Sequence, residues 1–337
     1  METQEPELAP GGPLRARDSA SPTPARPSLM TRVFVGPQGI RSGWRVALWL
    51  LVTSAAASAL GIVVLIVLRR FPPQDSPSFF IVGDGIGLGG ALAATVLMAR
   101  IERRRFADYA LPLGQAFGRR FLQGAAWGLT SVTVLLGAIH LGRGFEFGTV
   151  ALRGTAMARY GLLWAAAFLV VGTFEEVFTR AYALFTLGEG VGFWPAAAIL
   201  SAAFGALHLG NHGESRVGAL AAAVIGLFFC LTVRRTGSLW FAIGMHFGWD
   251  YAESFIYSVP DSGNLAVGHL LNSSFHGPRW LTGGSVGPEG SVLVFVLMGI
   301  LFVLFDRFHR EVRFPLPPSP PPPDAPGTGA SPLGLSH

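Results

Sequence analysis

The sequence predicts an all-α, polytopic membrane protein: about eight transmembrane helices with a polar site in the interior of the bundle. Three observations predict it. Half of the 337 residues are hydrophobic and only 13% are charged, against about 25% charged in soluble domains. Several apolar runs approach or exceed the ~18 residues that suit a membrane span. Ionisable side chains nevertheless sit inside some of those runs, where each costs roughly 2.5–3.5 kcal/mol at the bilayer centre and is usually kept for function.

Residues 1–31 are rich in Pro, Ala, Ser, Gly and Arg and contain no apolar run; this composition predicts a disordered tail. It is not a signal peptide, because the first apolar run begins only near Val46 and is too long for one. A helical membrane domain follows over 44–310. Its expected spans are Val46–Leu68, Phe79–Ala99, Phe121–Leu141, Tyr160–Leu184, Phe193–Leu209, Val217–Val233, Ser238–Ser258 and Ser291–Phe305. The fifth, sixth and eighth are short for the full hydrocarbon thickness, which suits burial by neighbouring helices. Residues 314–337 open with a polyproline-like run and continue as Gly/Ser/Pro coil, a second disordered tail without a prenylation motif.

The net charge of +5 comes from arginine alone, as the chain has no lysine. Most arginines fall on one side if both termini are cytoplasmic, the strongest group being Arg100, Arg103, Arg104, Arg105, Arg119 and Arg120. The positive-inside rule therefore places both tails in the cytoplasm and the loop 259–290 outside. The basic residues suit anionic lipid headgroups of the bilayer. They occupy short loops between spans, an arrangement that argues against nucleic-acid binding. The one cysteine, Cys230, lies in an apolar helix and excludes an internal disulfide or a Cys zinc cluster.

The fourth expected span contains Gly172-Thr-Phe-Glu-Glu-Val-Phe-Thr-Arg180. Glu176 and Arg180 are four residues apart, so they share a helical face and can pair. Glu175 lies about 100° round the helix from Glu176 and points elsewhere. The fifth span carries Phe204-Gly-Ala-Leu-His208, and the seventh carries His246-Phe-Gly-Trp-Asp250, where His and Asp again share a face. Taken singly, each motif also reads as a structural ion pair or a satisfied histidine. On the topology above, however, Glu175, His208, His246 and Asp250 fall in one middle slab, roughly 12–20 Å from the cytoplasmic face at 1.5 Å rise per residue. Such a set can activate water for attack on a carbonyl, with a Glu as general base and His residues holding the water or an oxyanion. Two His and a carboxylate also suit Zn²⁺ with an open position for water.

Glu-Glu-x-x-x-Arg at 175–180, Phe-x-x-x-His at 204–208 and His-x-x-x-Asp at 246–250, in this order on separate apolar helices, resemble the CPBP intramembrane proteases. These include the type II CAAX prenyl endopeptidases and bacterial Abi or bacteriocin-immunity relatives. The resemblance is closest over 158–258. It implies an α-helical intramembrane endopeptidase, metallo- or glutamate-type. Glu175 would be the water-activating base, with His208 holding the water or a metal. His246 and Asp250 would stabilise the oxyanion or complete a zinc ligand set of His208, His246, Glu175 and Asp250. Glu176, Arg180 and Phe204 would support the site. The eukaryotic CAAX enzymes carry Asn where this chain has Asp250, and an ionised Asp cannot donate to an oxyanion. Asp250 is therefore protonated, or orients His246, or binds a metal.

The implied partner is a membrane protein or lipidated peptide. The competing readings are a non-catalytic membrane scaffold or immunity protein that binds a peptide, and a proton-coupled transporter. The transporter predicts internal repeats with broken helices, and the chain shows no convincing repeat.

Four further features carry less. Asp84 in Gly83-Asp-Gly-Ile-Gly-Leu-Gly-Gly is expected near the outer interface, and its glycines suit close helix packing rather than a phosphate loop. Trp49, Trp127, Trp240 and Trp280 read as belt or core aromatics. His212 is expected to be solvated. His269, His276 and Glu289 in the outer loop have no distinctive metal spacing.

Overall fold

The computed structural model describes residues 33–36 and 39–314. The expected disordered tails, 1–31 and all of 314–337 except Phe314, lie outside the described residues. Residues up to Arg41 form a unit of their own, in which Val35–Gly36 and Gly39–Ile40 pair as a short antiparallel ribbon.

The rest is helical. The helices are α1 (Ser42–Leu68), α2 (Pro77–Glu102), α3 (Arg119–Leu141), α4 (Gly154–Arg180), α5 (Tyr182–Val191), α6 (Phe193–His208), α7 (Arg216–Thr236), α8 (Trp240–Asp250), the single turn α9 (Arg279–Thr282) and α10 (Val292–Phe308). Local chemistry sets several of the boundaries. Ser76, Ser215 and Ser291 cap α2, α7 and α10 by accepting from the backbone N–H of Phe79, Gly218 and Leu293, the N-cap role for which serine is favoured. Gly237 ends α7 in the left-handed conformation that glycine adopts without penalty.

A helix lies at each of the eight expected positions, and among the described residues five of the segments have the length and composition of a full span. Five segments are long and apolar enough to cross a membrane: Ser42–Leu68, Pro77–Glu102, Arg119–Leu141, Gly154–Val191 and Arg216–Thr236. The helices at the fifth, seventh and eighth positions have 16, 11 and 17 residues. The sixth is longer than expected, at 21 residues. A helix rises 1.5 Å per residue, so 11 residues reach only about 16 Å. The shortest of them, α8, is buried among its neighbours along nearly its whole length.

The fourth span is also not one helix. The chain breaks at Ala181 (ψ −103°), immediately after Arg180, and restarts as α5. Just before the break the Thr179 hydroxyl donates to the Glu175 carbonyl at 2.6 Å, a back-bond that weakens the local helical ladder. Beyond the break, α5 is tied to α1 and α2 by a polar cluster. Tyr182 Oη and Arg45 Nε donate to Glu102 Oε1 at 2.6 and 2.9 Å, and Arg45 Nη1 donates to Glu189 Oε2 at 2.8 Å.

Helices α3 and α8 pack backbone against backbone. Gly124 and Gly128 on one helix face Gly244 and Gly248 on the other. A methyl at Gly128 would stand 2.2 Å from the Met245 carbonyl oxygen, and one at Gly248 would stand 2.2 Å from that of Ala125. Small residues four apart on both helices let the backbones touch, the usual way for membrane helices to associate. The pair Gly244-x-x-x-Gly248 brackets His246, so the contact fixes the depth and rotation of that histidine. After Asp250, α8 continues as a π-helical turn, Tyr251–Ile256, a distortion frequently found at functional sites. The loop that follows is pinned by an antiparallel ribbon pairing Phe145–Glu146 with Ser274–Phe275.

Candidate active site

The site is built around Arg180. Its guanidinium is 1% exposed, and the Glu176 carboxylate beside it is fully buried. Arg180 Nη1 donates to Glu176 Oε1 at 2.7 Å and to Thr179 Oγ1 at 2.8 Å, while Nε donates to the Gly226 carbonyl at 3.2 Å. The guanidinium carbon lies 4.7 Å from the Phe204 ring centre and 5.2 Å from that of Phe229, within cation–π range. The expected i, i+4 pair is thus present, and it joins α4, α6 and α7.

His246 extends this network. Its Nδ1–H donates to Glu176 Oε1 at 3.1 Å, and its ring stacks on Phe229 at 5.7 Å. The ring orientation leaves Nε2 facing two more carboxylates, Glu175 Oε2 and Asp250 Oδ2, each at 3.6 Å. Gly172 permits this approach: a methyl there would already lie 3.3 Å from His246 Cβ. Glu175, whose side chain is 26% exposed, turns away from Arg180 as the helical angle requires. Its Oε2 has no hydrogen-bond partner among the described residues.

Glu175, His246 and Asp250 open onto a cavity of about 760 Å³ that Phe204 and His208 also line. His208 Nδ1 lies 2.8 Å from the Phe204 carbonyl oxygen. A carbonyl only accepts, so Nδ1 carries the proton and Nε2 is left as an acceptor. All seven residues singled out from the sequence therefore belong to one constellation. Five are linked by side-chain distances of 3.6 Å or less, while Phe204 packs on Arg180 and His208 joins through the shared cavity wall.

The suggested zinc set fares less well. Donors about 2.1 Å from one zinc ion lie no more than about 4.2 Å apart. Among the described residues the one group of three or more His, Cys, Asp or Glu whose ligand atoms converge within 4.8 Å is Glu253, Asp261 and Glu289. Glu175, His208, His246 and Asp250 are not brought together as closely as that group, and no step below passes through a metal.

Several residues of this region were not foreseen. Asp84 was expected near the outer interface but lines the same cavity, as do Asp261 and Glu289. His212 lines it too and is exposed, as its loop position suggested. Burial and the neighbouring Glu289 carboxylate push Asp261 up to about 7. His269 and His276 do not join Glu289: His269 Nδ1 contacts the Ala266 carbonyl, and His276 Nε2 contacts Ser274 Oγ.

Residues 159–252 match the family model described as Type II CAAX prenyl endopeptidase Rce1-like. The match runs from α4 to the end of α8 and contains all three motifs, so the resemblance to the CPBP family is shown over that stretch. Together with the five long apolar helical segments among the described residues, it describes an integral membrane protein carrying a domain of an intramembrane protease family. No curated protein and no solved structure matches the chain.

Proposed function

We propose, proceeding from the type II CAAX prenyl endopeptidase match over residues 159–252, that the chain is an intramembrane endopeptidase in which Glu175 activates water for hydrolysis of a peptide bond. The substrate is a membrane-associated protein or peptide, with a lipidated C-terminus as the family-like case. The observation that carries the reading is the convergence at the cavity. Glu175 lines it, with Oε2 unpartnered among the described residues and 3.6 Å from His246 Nε2, and His208 is on the same wall.

Each residue has a defined task in this reading. Glu175 and His246 both line the cavity, with Oε2 and Nε2 3.6 Å apart, so a water in the cavity lies between the two side chains. Glu175 accepts a proton from that water as its oxygen bonds to the peptide carbonyl carbon. His208, with its proton fixed on Nδ1, accepts a hydrogen bond from the water through Nε2 and so orients it. His246, protonated at Nε2, donates to the oxyanion of the tetrahedral intermediate. The C–N bond then breaks as Glu175 returns its proton to the leaving amine, which leaves a free carboxylate and a free amine. Glu176 and Arg180 hold the His246 ring at the required angle. Asp250 is a positioning residue that faces His246 Nε2 from one turn further along α8. Both termini are cytoplasmic in this reading, which the arginine distribution supports.

The test is cleavage of prenylated and unprenylated membrane-anchored peptides by purified protein in liposomes, comparing wild type with Glu175→Ala and His208→Ala. The proposal expects loss of cleavage in both; undiminished cleavage in both sinks it. Insensitivity to the zinc chelator 1,10-phenanthroline supports glutamate-activated water, while loss of activity reversed by zinc supports the metallo-type mechanism.

A further inference from the structure

Glu253, on the π-helical turn after α8, is fully buried, and neither carboxylate oxygen has a hydrogen-bond partner among the described residues. A buried charge without a partner is costly and usually signals an ion or a shared proton. The side chain points at two more carboxylates. One ligand oxygen each from Glu253, Asp261 and Glu289 lies within 4.8 Å of the other two. Two oxygens about 2.4 Å from one calcium ion are at most about 4.8 Å apart, so the spacing matches a single shared ion of that size.

The neighbours position the group without neutralising it. Glu289 Oε1 accepts from Trp249 Nε1 at 3.1 Å. Glu289 Oε2 accepts from the Ser262 backbone N–H at 2.9 Å and from Ser262 Oγ at 2.7 Å. Asp261 Oδ2 accepts from Ser254 Oγ at 3.2 Å. Each of these oxygens keeps a lone pair, and both Glu253 oxygens, next to the Trp249 indole, lack a hydrogen bond of normal geometry among the described residues. Among the described residues no arginine or histidine forms an ion pair with any of the three. The donors are oxygens throughout, which selects a hard divalent ion over zinc or copper. The three residues come from the π-turn, the loop that follows it and the turn before α10, so one ion would staple the loop to both flanking helices.

We infer that Glu253, Asp261 and Glu289 form a divalent-cation site of calcium type, separate from the Glu175–His246 constellation and sharing its cavity wall. Because Asp261 and Glu289 line that cavity, the ion enters from it. Its charge offsets the acidic residues beyond Asp250 and holds the cavity wall in place.

The test needs no substrate. Trp249 touches the site through Glu289, so terbium bound there is sensitised by indole excitation. Purified protein in detergent is titrated with terbium and then with calcium, and thermal unfolding is followed in calcium or in excess calcium chelator. The inference expects sensitised emission displaced by calcium, and an unfolding midpoint raised by calcium and lowered again by the chelator. Glu253→Gln and Glu289→Gln should each weaken terbium binding at least tenfold and remove the calcium response. Glu253→Gln also deletes an uncompensated buried charge, so its calcium-free midpoint should equal or exceed that of wild type, which shows the variant to be folded. Absence of sensitised emission in wild type, or an unchanged calcium response in both variants, overturns the inference in favour of protons shared within the carboxyl cluster.

Discussion

Replacing Arg180 with methionine tests the organisation of the site most broadly. The methionine keeps the apolar stem between Phe204 and Phe229 but removes the donors to Glu176, Thr179 and the Gly226 carbonyl. Glu176 then remains fully buried, with His246 still donating to it. Breaking a buried pair from one side typically costs about 3–5 kcal/mol, because an uncompensated charge is left in a low-dielectric setting. Replacing both partners by neutral groups is often nearly neutral, so Arg180→Met combined with Glu176→Gln should recover at least about 2 kcal/mol of the loss. Arg180→Lys should fall between, since an ammonium cannot reproduce the planar fork or its stacking. The assay is denaturation in mixed micelles followed by circular dichroism, run as a double-mutant cycle. A single-mutant cost below about 1 kcal/mol, or a double variant as unstable as Arg180→Met, would refute the view that Arg180 exists chiefly to compensate Glu176.

Three other outcomes follow from the same geometry. Gly248→Ala places a methyl 2.2 Å from the Ala125 carbonyl oxygen, so α3 and α8 must separate; the expected cost is about 1–3 kcal/mol in micelle denaturation, with lower activity because His246 rides on α8. Asp250→Asn keeps the shape of a residue that positions His246, so kcat should stay within about tenfold of wild type, whereas a loss near 10³-fold would make Asp250 a reacting acid or base. His309 stacks on Phe305 at 4.2 Å, and burial with Arg120 and Arg313 nearby holds its imidazole below the ordinary value of 6.5. Its folded-state pKa is depressed, so its stabilising contribution is present above that ordinary value and lost as pH falls through the lower folded-state value; His309→Phe should flatten that part of the pH–stability curve.

The fold was legible where it depends on local composition. Apolar runs located a helix at each expected span, and helical spacing paired Glu176 with Arg180 and turned Glu175 away. The break at Ala181 was not legible, since no proline or glycine marks it and Thr173, four residues after Leu169, makes the same hydroxyl back-bond as Thr179 without a break. The shortness of α8 was hidden because its apolar run continues through the π-turn. Gly244 and Gly248, which set the depth of His246, did carry a readable signal in their four-residue spacing and their match to Gly124 and Gly128. Asp84 looked interfacial because it lies only five residues into its expected span, which starts at Phe79; its glycines, read as packing residues, do bring α2 close to α4, where a methyl on Gly87 would lie 2.6 Å from Phe174. The Glu253–Asp261–Glu289 cluster was not legible at all, because its members meet only through the path of a long loop.

The most direct test of the central claim is the single-turnover cleavage rate of Glu175→Gln against wild type, with the unfolding midpoint measured on the same preparations. The substituted amide keeps the size of the side chain and loses the ability to take a proton from water. The account predicts a rate lowered by at least about 10²-fold with a midpoint little changed, because the side chain is 26% exposed and its charged neighbour, His246 Nε2, is beyond hydrogen-bond distance at 3.6 Å. A folded Glu175→Gln protein that cleaves within about threefold of the wild-type rate would contradict it.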